Sequence, residues 1–389
     1  MSATPGHTGG EILLNPAARP AATMAPPPRT PLGLHRRLPS YAVTPLHDAP
    51  ILAKANGVGR VWVKDESSRL GLPAFKMLGA SWASYRAVAE RLGQDPEPWS
   101  SLEELHDRLR PLRPLTLAAA TDGNHGRAVA RMATLLGFDA DVYVPHGTAT
   151  ARIDAIEGEG ARVTVVDGDY DAAVVAAAST AGARCLVIQD VAWPGYEQVP
   201  AWVVEGYGTI FWEVDDQFVT RGEEGPDVVM VPVGVGGLAA AAVRHWRGRS
   251  LGRPPRLIGV EPLAAACVLR SLKAGRIVTV PGPHHSIMAG LNCGTPSLVA
   301  WPSLRTGLDA VVAVGDERAR QAMRDLAAAG IVAGETGAAS LAGLAELTGG
   351  PEAGRLRDAL GLAADARVLL LCTEGATDPQ AYRQIVGGA

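Results

Sequence analysis

The stretch Val231–Val243, "VPVGVGGLAAAAV", contains the three parts of a βα unit. An apolar run comes first, as expected of a parallel strand that is buried on both faces. Glycines 234, 236 and 237 follow, and glycine permits positive φ and close backbone approach. The alanine-rich remainder predicts a helix, whose N-terminal N–H groups can bind a phosphate. The GK[ST] of a Walker loop does not follow, so this is not a Walker loop. The alternative interpretation is that the glycines only allow the helix to pack closely on the strand.

Eight more short apolar runs resemble this strand, and each is followed by an Ala/Gly-rich helical stretch. Their alternation predicts an α/β fold with mostly parallel sheets and helices on both sides. The predicted strands are Val61–Lys64, Leu115–Ala120, Ala140–Val144, Arg162–Val166, Cys185–Gln189, Val228–Val233, Leu257–Val260, Val311–Val314 and Val368–Leu371. Helices are predicted from Leu78 to Leu92, over Arg127–Leu136 and over Asp316–Ala329.

Composition excludes several classes of protein. The 389 residues are 47% apolar with a formal net charge of -4 and no dense basic block, so we expect no nucleic-acid partner. No run approaches the roughly 18 apolar residues of a membrane span, which predicts a soluble protein. The four cysteines lack metal-binding spacing and are typical of reduced thiols, which predicts a cytoplasmic protein without a metal site. Residues 1–35 are rich in Pro and Ala and are expected to form a loose arm.

The stretch Gly71–Ser81, "GLPAFKMLGAS", places a single lysine, Lys76, among small and apolar residues at a predicted helix start. Either its ammonium reaches solvent along the surface, or its chemistry is used. Desolvation by these neighbours would favour the neutral amine, which is the reactive form.

Two further stretches follow predicted strands. In "AATDGNHGRAVA", Asn124 could offer its amide to a ligand oxygen, although Asp122 or Asn124 could equally cap the next helix. In "RVLLLCTEGATDP", the hydroxyl of Thr373 could bond a heteroaromatic nitrogen, or only satisfy a turn. A lysine, an amide, a glycine loop and a hydroxyl together match one cofactor, pyridoxal 5′-phosphate.

These stretches resemble the fold-type II pyridoxal-phosphate enzymes of the tryptophan synthase β and threonine dehydratase superfamily. Within it, the chain is most similar to the diaminopropionate ammonia-lyase family. The stretches that carry the resemblance are "VKDESSRLGLPAFKMLGAS", "TDGNHGRAVA", "IQDVAWPGYEQVPAWVVEGYGTI", "VPVGVGGLAAAAV", "GVEP", "GETGAAS" and "CTEGATDP". The resemblance implies two α/β lobes with the cofactor in the cleft between them, and a homodimer. It further implies a large cofactor-binding domain over 36–90 and 195–389 and a small domain over 91–194.

By resemblance, Lys76 would be the Schiff-base lysine, Asn124 would contact the ring oxygen and Thr373 the ring nitrogen. The phosphate would be bound by the backbone of Gly234, Val235, Gly236, Gly237 and Leu238. The implied reaction is α,β-elimination of 2,3-diaminopropionate to pyruvate and ammonia.

Two aspartates bear on the substrate. The resemblance implies that Asp122 and Asp190 remove the α-proton from the two substrate enantiomers, and two carboxylates also suit a substrate with two ammonium groups. The alternatives are a turn or cap for Asp122 and a polar strand end for Asp190. His125 is expected to pack rather than to act in catalysis.

Three positions depart from the family pattern: Pro73, Cys372 and Ala376. They leave open a serine/threonine dehydratase or another lyase acting on a diamino acid, although Asp122 and Asp190 count against a plain dehydratase. A binding protein without catalysis remains a third hypothesis, and it requires Lys76 to be inert.

Overall fold

The computed structural model describes residues 9–19, 24, 26–121, 123–249, 253–350 and 352–387. The described residues form two compact units. Unit 1 takes residues from Met1–Pro26, Thr44–Ser67 and Val214–Ala389, and unit 2 takes Pro27–Val43 and Ser68–Glu213.

Eleven strands and fifteen α-helices are found in the described residues. The strands are β1 (Glu11–Leu14), β2 (Leu46–Asp48), β3 (Arg60–Asp65), β4 (Thr116–Ala120), β5 (Asp139–Pro145), β6 (Arg162–Val166), β7 (Cys185–Val187), β8 (Val228–Pro232), β9 (Arg256–Pro262), β10 (Ala310–Val314) and β11 (Arg367–Cys372). The helices are α1 (Thr30–His35), α2 (Pro50–Asn56), α3 (Lys76–Leu92), α4 (Leu102–Leu109), α5 (Asn124–Leu136), α6 (Thr150–Glu157), α7 (Tyr170–Ser179), α8 (Gln198–Arg221), α9 (Gly237–Arg247), α10 (Cys267–Ala274), α11 (Trp301–Gly307), α12 (Asp316–Ala328), α13 (Ala339–Gly349), α14 (Ala353–Leu360) and α15 (Pro379–Val386).

Unit 1 is built on a seven-stranded sheet in the order β1-β10-β9-β8-β11-β3-β2. Its five inner strands are parallel, and the edge strands β1 and β2 are antiparallel to their neighbours. On β3, Val61 and Val63 belong to a large hydrophobic cluster, while Trp62 between them is equally buried. Burial of both faces explains why these strands read as unbroken apolar runs.

Unit 2 contains a parallel four-stranded sheet in the order β6-β5-β4-β7. Helices α5 and α7 pack on β4 and β5, and α3 packs on α5. Small residues permit this close approach: a Cβ on Gly126 of α5 would lie 2.3 Å from Cγ2 of Thr121. Helix α3 ends at Leu92 because Gly93 adopts φ +75°, the left-handed C-cap conformation that favours glycine.

The predicted α/β class with mostly parallel sheets is confirmed, and all nine predicted strands are present. The loose arm over residues 1–35 stays a prediction, and residues 1–8, 20–23 and 25 lie outside the described residues, but two parts of it form regular elements. Glu11–Leu14 pairs with β10, because its apolar side chains are half-buried and the Asn15 amide donates to the carbonyls of Arg305 and Leu308 at 2.9 and 2.7 Å. Helix α1 also lies within residues 1–35.

The predicted domain bounds remain a prediction, and the two units divide the chain at other positions. Residues 68–90 and 195–213 belong to unit 2, together with the whole predicted small domain. Across the described ranges, we find no helix with the length and apolar character that crossing a membrane requires.

Candidate active site

Lys76 is the first residue of α3, and its amine pairs with a carboxylate from a distant part of unit 2. Its Nζ lies 2.5 Å from Oδ2 of Asp190, 114 residues away in the chain. The Asp190 side chain is 8% exposed and that of Lys76 is 22% exposed. The apolar neighbours of Lys76 in sequence were expected to favour a neutral amine, whereas this ion pair favours the ammonium.

Asp190 reaches this position because β7 runs beside β4. The side chain of Gln189 forms two hydrogen bonds with the backbone of Ala120: its Oε1 accepts from the amide N–H (3.0 Å) and its Nε2 donates to the carbonyl (3.1 Å). The chain leaving β7 is therefore fixed to the carboxyl end of β4. In open α/β sheets this edge is where ligands bind.

The proton affinity of Asp190 is set by opposing effects. Burial raises its pKa, but the charges of Lys76 and His125 and the hydrogen bond from Lys76 lower it to about 2. His125 Nε2 lies 2.8 Å from the carbonyl of Ile188, so Nε2 carries the proton, and Nδ1 lies 3.9 Å from Asp190. Asp190 is accordingly ionised at neutral pH.

The turn between β4 and α5 carries two further predicted residues. Asn124 is half-buried at the first position of α5. Thr121 Oγ1 accepts a hydrogen bond from the Gly123 N–H at 2.9 Å, which shapes the turn. Asp122 lies outside the described residues.

The predicted phosphate loop lies in unit 1, between β8 and α9. Gly236 is the N-cap of α9 with φ +96°, and a Cβ there would lie 2.4 Å from Cδ1 of Leu304. The backbone N–H groups at the start of this eleven-residue helix have no partners within the helix, which suits an anion. Val235 and Leu238 complete the stretch, and Leu238 is buried.

Thr373 follows β11, which is the parallel neighbour of β8. The glycine loop and Thr373 therefore share one carboxyl edge of the large sheet. The residue is 2% exposed, and its Oγ1 has no hydrogen-bond partner among the described residues. A buried hydroxyl without a hydrogen-bond partner among the described residues, at the same sheet edge as the glycine loop, fits a ligand that joins a phosphate to a hydrogen-bond acceptor.

Sequence reasoning missed one residue of this region, Tyr207 on α8. Its ring packs on that of Phe75 with centroids 4.7 Å apart, directly before Lys76. A tyrosine inside a largely apolar helix gives no signal that separates it from a core residue.

Comparison with known proteins agrees with this geometry. Residues 38–374 match the family model described as "Pyridoxal-phosphate dependent enzyme". The fold and this match thus define a class of α/β enzyme that uses a phosphate-bearing aldehyde cofactor.

The similar proteins have a more narrowly defined activity than the family as a whole. The chain is 36% identical to a diaminopropionate ammonia-lyase of Salmonella typhimurium, over 91% of this chain and 90% of the relative. It is similar to solved structures of the Escherichia coli diaminopropionate ammonia-lyase. The one with an aminoacrylate-PLP azomethine reaction intermediate has a TM-score of 0.87 and 35% identity, covering 98% of this chain and 97% of that one. The one with D-serine has a TM-score of 0.88 and 35% identity, covering 97% and 96%. The chain belongs to the family of pyridoxal-phosphate dependent enzymes, as its sequence resemblance implied, and the predicted cofactor class is confirmed.

Proposed function

We propose that this protein is an ammonia-lyase that converts 2,3-diaminopropionate to pyruvate and ammonia by α,β-elimination. The buried pair of Lys76 and Asp190, at 2.5 Å, carries the proposal, because it places an ionised carboxylate beside the lysine of the family's cofactor chemistry. The diaminopropionate ammonia-lyases among the relatives support the choice of substrate.

The roles proposed for the cofactor-binding residues follow their chemistry. Lys76 would attach the cofactor, and the backbone of Gly234, Val235, Gly236, Gly237 and Leu238 would bind its phosphate. Asn124 would donate to the ring oxygen. The Thr373 hydroxyl would donate to the ring nitrogen, and a neutral donor there leaves that nitrogen unprotonated. When bound, the cofactor withdraws electrons and so acidifies the α C–H bond of the substrate.

Asp190 would accept the α-proton from one enantiomer, and Asp122 from the other. A positioned base contributes about 10²–10⁴-fold to such a transfer. While the Lys76 ammonium faces it, Asp190 is a weak base because its pKa is about 2. Loss of that charge would leave burial as the dominant effect, which raises the proton affinity of Asp190 and makes it a better base.

A substrate panel tests the proposal. Pyruvate formation is measured with D- and L-diaminopropionate, D- and L-serine and L-threonine. We expect the highest kcat/KM with diaminopropionate; higher values with serine or threonine would instead make the protein a dehydratase. The purified protein should also show a visible absorption band that borohydride bleaches, and without it the assignment of Lys76 fails.

Location and assembly are part of the proposal. None of the four cysteines, all of which are among the described residues, forms a disulfide, which supports a reducing, cytoplasmic location. A homodimer is proposed from the family resemblance. Cell fractionation and light scattering on the purified protein are the measurements that decide these two points.

A further inference from the structure

Tyr207 lies beside the start of α3, where Lys76 is found. Its ring and that of Phe75 are inclined at 52° with centroids 4.7 Å apart. Nζ of Lys76 lies 5.7 Å from the centroid of the same Phe75 ring. Phe75 is therefore a common neighbour of the tyrosine ring and the lysine amine.

Helices α3 and α8 approach each other closely beside this ring. A Cβ on Gly79 would lie 2.5 Å from Cε1 of Tyr207, and a Cβ on Gly206 would lie 2.4 Å from the Leu78 carbonyl oxygen. These are below any normal contact distance, so a side chain at either position would displace the helices or the ring. The two glycines thus fix Tyr207 next to the lysine end of α3.

The hydroxyl of Tyr207 is buried close to two charges. The residue is 2% exposed, and its oxygen makes no hydrogen bond of standard geometry with a described residue. Burial raises the phenol pKa, while the nearby Lys76 ammonium lowers it and Asp190 raises it. The hydroxyl accordingly stays protonated, and a buried hydroxyl without a full hydrogen bond costs about 1–3 kcal/mol unless another state of the site uses it.

We propose that Tyr207 is a positioning residue for Lys76: when the lysine is not bonded to the cofactor, its ammonium alternates between the pair with Asp190 and a hydrogen bond to the Tyr207 hydroxyl oxygen. This inference rests on the role proposed above for Lys76. Asp190 and Tyr207 then offer two acceptors to one ammonium. Both stabilise the charged amine and hold it near the position from which it acts.

Other titratable groups face this region from the neighbouring helices. His125 of α5 lies next to Asp190. His35 of α1 lies 3.0 Å from the Leu78 carbonyl, and burial lowers its pKa to about 3, so it is neutral. Neither group depends on the Tyr207 hydroxyl, so removal of that hydroxyl leaves both in place.

The test is the rate at which the full-length apoprotein recombines with pyridoxal 5′-phosphate, followed as a function of pH. Only the neutral amine attacks the aldehyde, so the midpoint of the profile reports the ionisation of Lys76. Tyr207→Phe keeps the ring contacts and removes one acceptor from the ammonium. We expect its midpoint to move to lower pH by about half to one unit.

Tyr85→Phe is the matched control, because Tyr85 lies on α3 with Lys76 and its hydroxyl bonds Glu97 instead. Its midpoint should equal that of the wild type. Tyr207→Met, which fills the space with a flexible apolar chain, provides a second variant without the hydroxyl. A purely structural Tyr207 would change the melting temperature and leave the midpoint unmoved, and that result in either folded variant overturns the proposal.

The results that would disprove the proposed substrate differ from those that would disprove the role of Tyr207. Recombination uses only the cofactor, so a poor rate with diaminopropionate does not affect the pH profile. If the wild type forms no borohydride-sensitive adduct, the role of Lys76 is wrong and this inference falls with it.

Discussion

The ionisation of Asp190 depends on whether the Lys76 ammonium faces it. With the ammonium 2.5 Å away, its pKa is about 2, below the ordinary value of 3.8. A carboxyl whose pKa is lowered on folding contributes stability above pH 3.8, and that stability is lost as the pH falls through 2. Across the neutral range the carboxylate is ionised and able to accept a proton.

Asp190→Asn removes this base and keeps its shape. We expect kcat for pyruvate formation to fall by about 10²–10⁴-fold with one enantiomer of diaminopropionate. Asp141→Asn is the control, since Asp141 lies on β5 and pairs with Arg162 on the surface. Undiminished turnover of both enantiomers by Asp190→Asn would exclude Asp190 as a base.

Thr373→Val tests the fit of the cofactor without a turnover measurement. Because the hydroxyl has no partner among the described residues, the melting temperature of the apoprotein should change little. The dissociation constant of pyridoxal 5′-phosphate should rise about 3- to 10-fold, which corresponds to one lost hydrogen bond. An unchanged dissociation constant would show that the hydroxyl does not meet the ring.

At the scale of elements, the turn from β8 to α9 depends on Gly236. Gly236→Ala combines a positive φ with a Cβ 2.4 Å from Leu304. We expect a loss of about 2–4 kcal/mol in the free energy of urea unfolding, together with weaker cofactor binding. Gly275→Ala is the matched control. Gly275 also has a positive φ, +69°, but a Cβ added there would have no atom within 4 Å. This variant therefore reports the cost of the backbone conformation alone. Equal losses in the two variants would contradict the steric argument.

Strand β9 contains a buried acid, Glu261, one residue before its end. Its carboxyl accepts the N–H groups of Val268 and Leu269, both at 2.8 Å, and burial raises its pKa to about 8. Between pH 4.5 and 8 the folded state holds a proton that the unfolded state releases. The free energy of unfolding should therefore fall as pH rises through this window, by at most about 1.4 kcal/mol per pH unit. Glu261→Gln should flatten this slope in urea titrations, and an identical slope would refute the assignment.

Strands that are buried on both faces could be predicted from the sequence, since their apolar runs are continuous. Strands β1 and β2 could not, because they are short edge strands with half-buried or alternating patterns. Helix α4 was also missed, although Ser101 caps it through the Glu104 N–H, because it lies in a polar segment. Edge elements expose one side, so their sequences retain polar residues.

At the scale of the molecule, the chain passes between the units at residues 26–27, 43–44, 67–68 and 213–214. The unit 2 residues next to the last three of these passages contact one another. Arg69 forms two hydrogen bonds with Glu213 (2.7 and 2.8 Å), and Tyr41 donates to the same carboxylate (2.9 Å). These contacts therefore join the end of the first segment of unit 2 to both ends of its second segment.

Arg69→Met should be strongly destabilising, by about 3–5 kcal/mol, because it leaves the Glu213 charge buried without its partner. The double variant Arg69→Met/Glu213→Leu should recover most of this loss, since both charges are then absent. Urea unfolding of the single and double variants measures the difference. A double variant less stable than the single one would show that the pair itself supplies the stability.

The site could be predicted only in part for a related reason. Lys76, Asn124, the glycine loop and Thr373 each follow a strand or begin a helix, so local patterns mark them. The contact between Lys76 and Asp190 spans 114 residues and exists only in the folded chain. No local sequence pattern distinguishes Tyr207 from a core residue. Its position beside Lys76 depends on two glycines in two different helices.

The central place of β11 has a consequence for synthesis on the ribosome. This strand lies between β8 and β3 in the seven-stranded sheet, yet it follows every other strand in the chain. Until Arg367–Cys372 has left the exit tunnel, the two halves of that sheet have no strand to join them, and the nascent chain exposes two apolar sheet edges. The sheet of unit 1 can therefore be completed only after this strand has emerged, so a truncation before Arg367 would affect the whole unit and not only its last part.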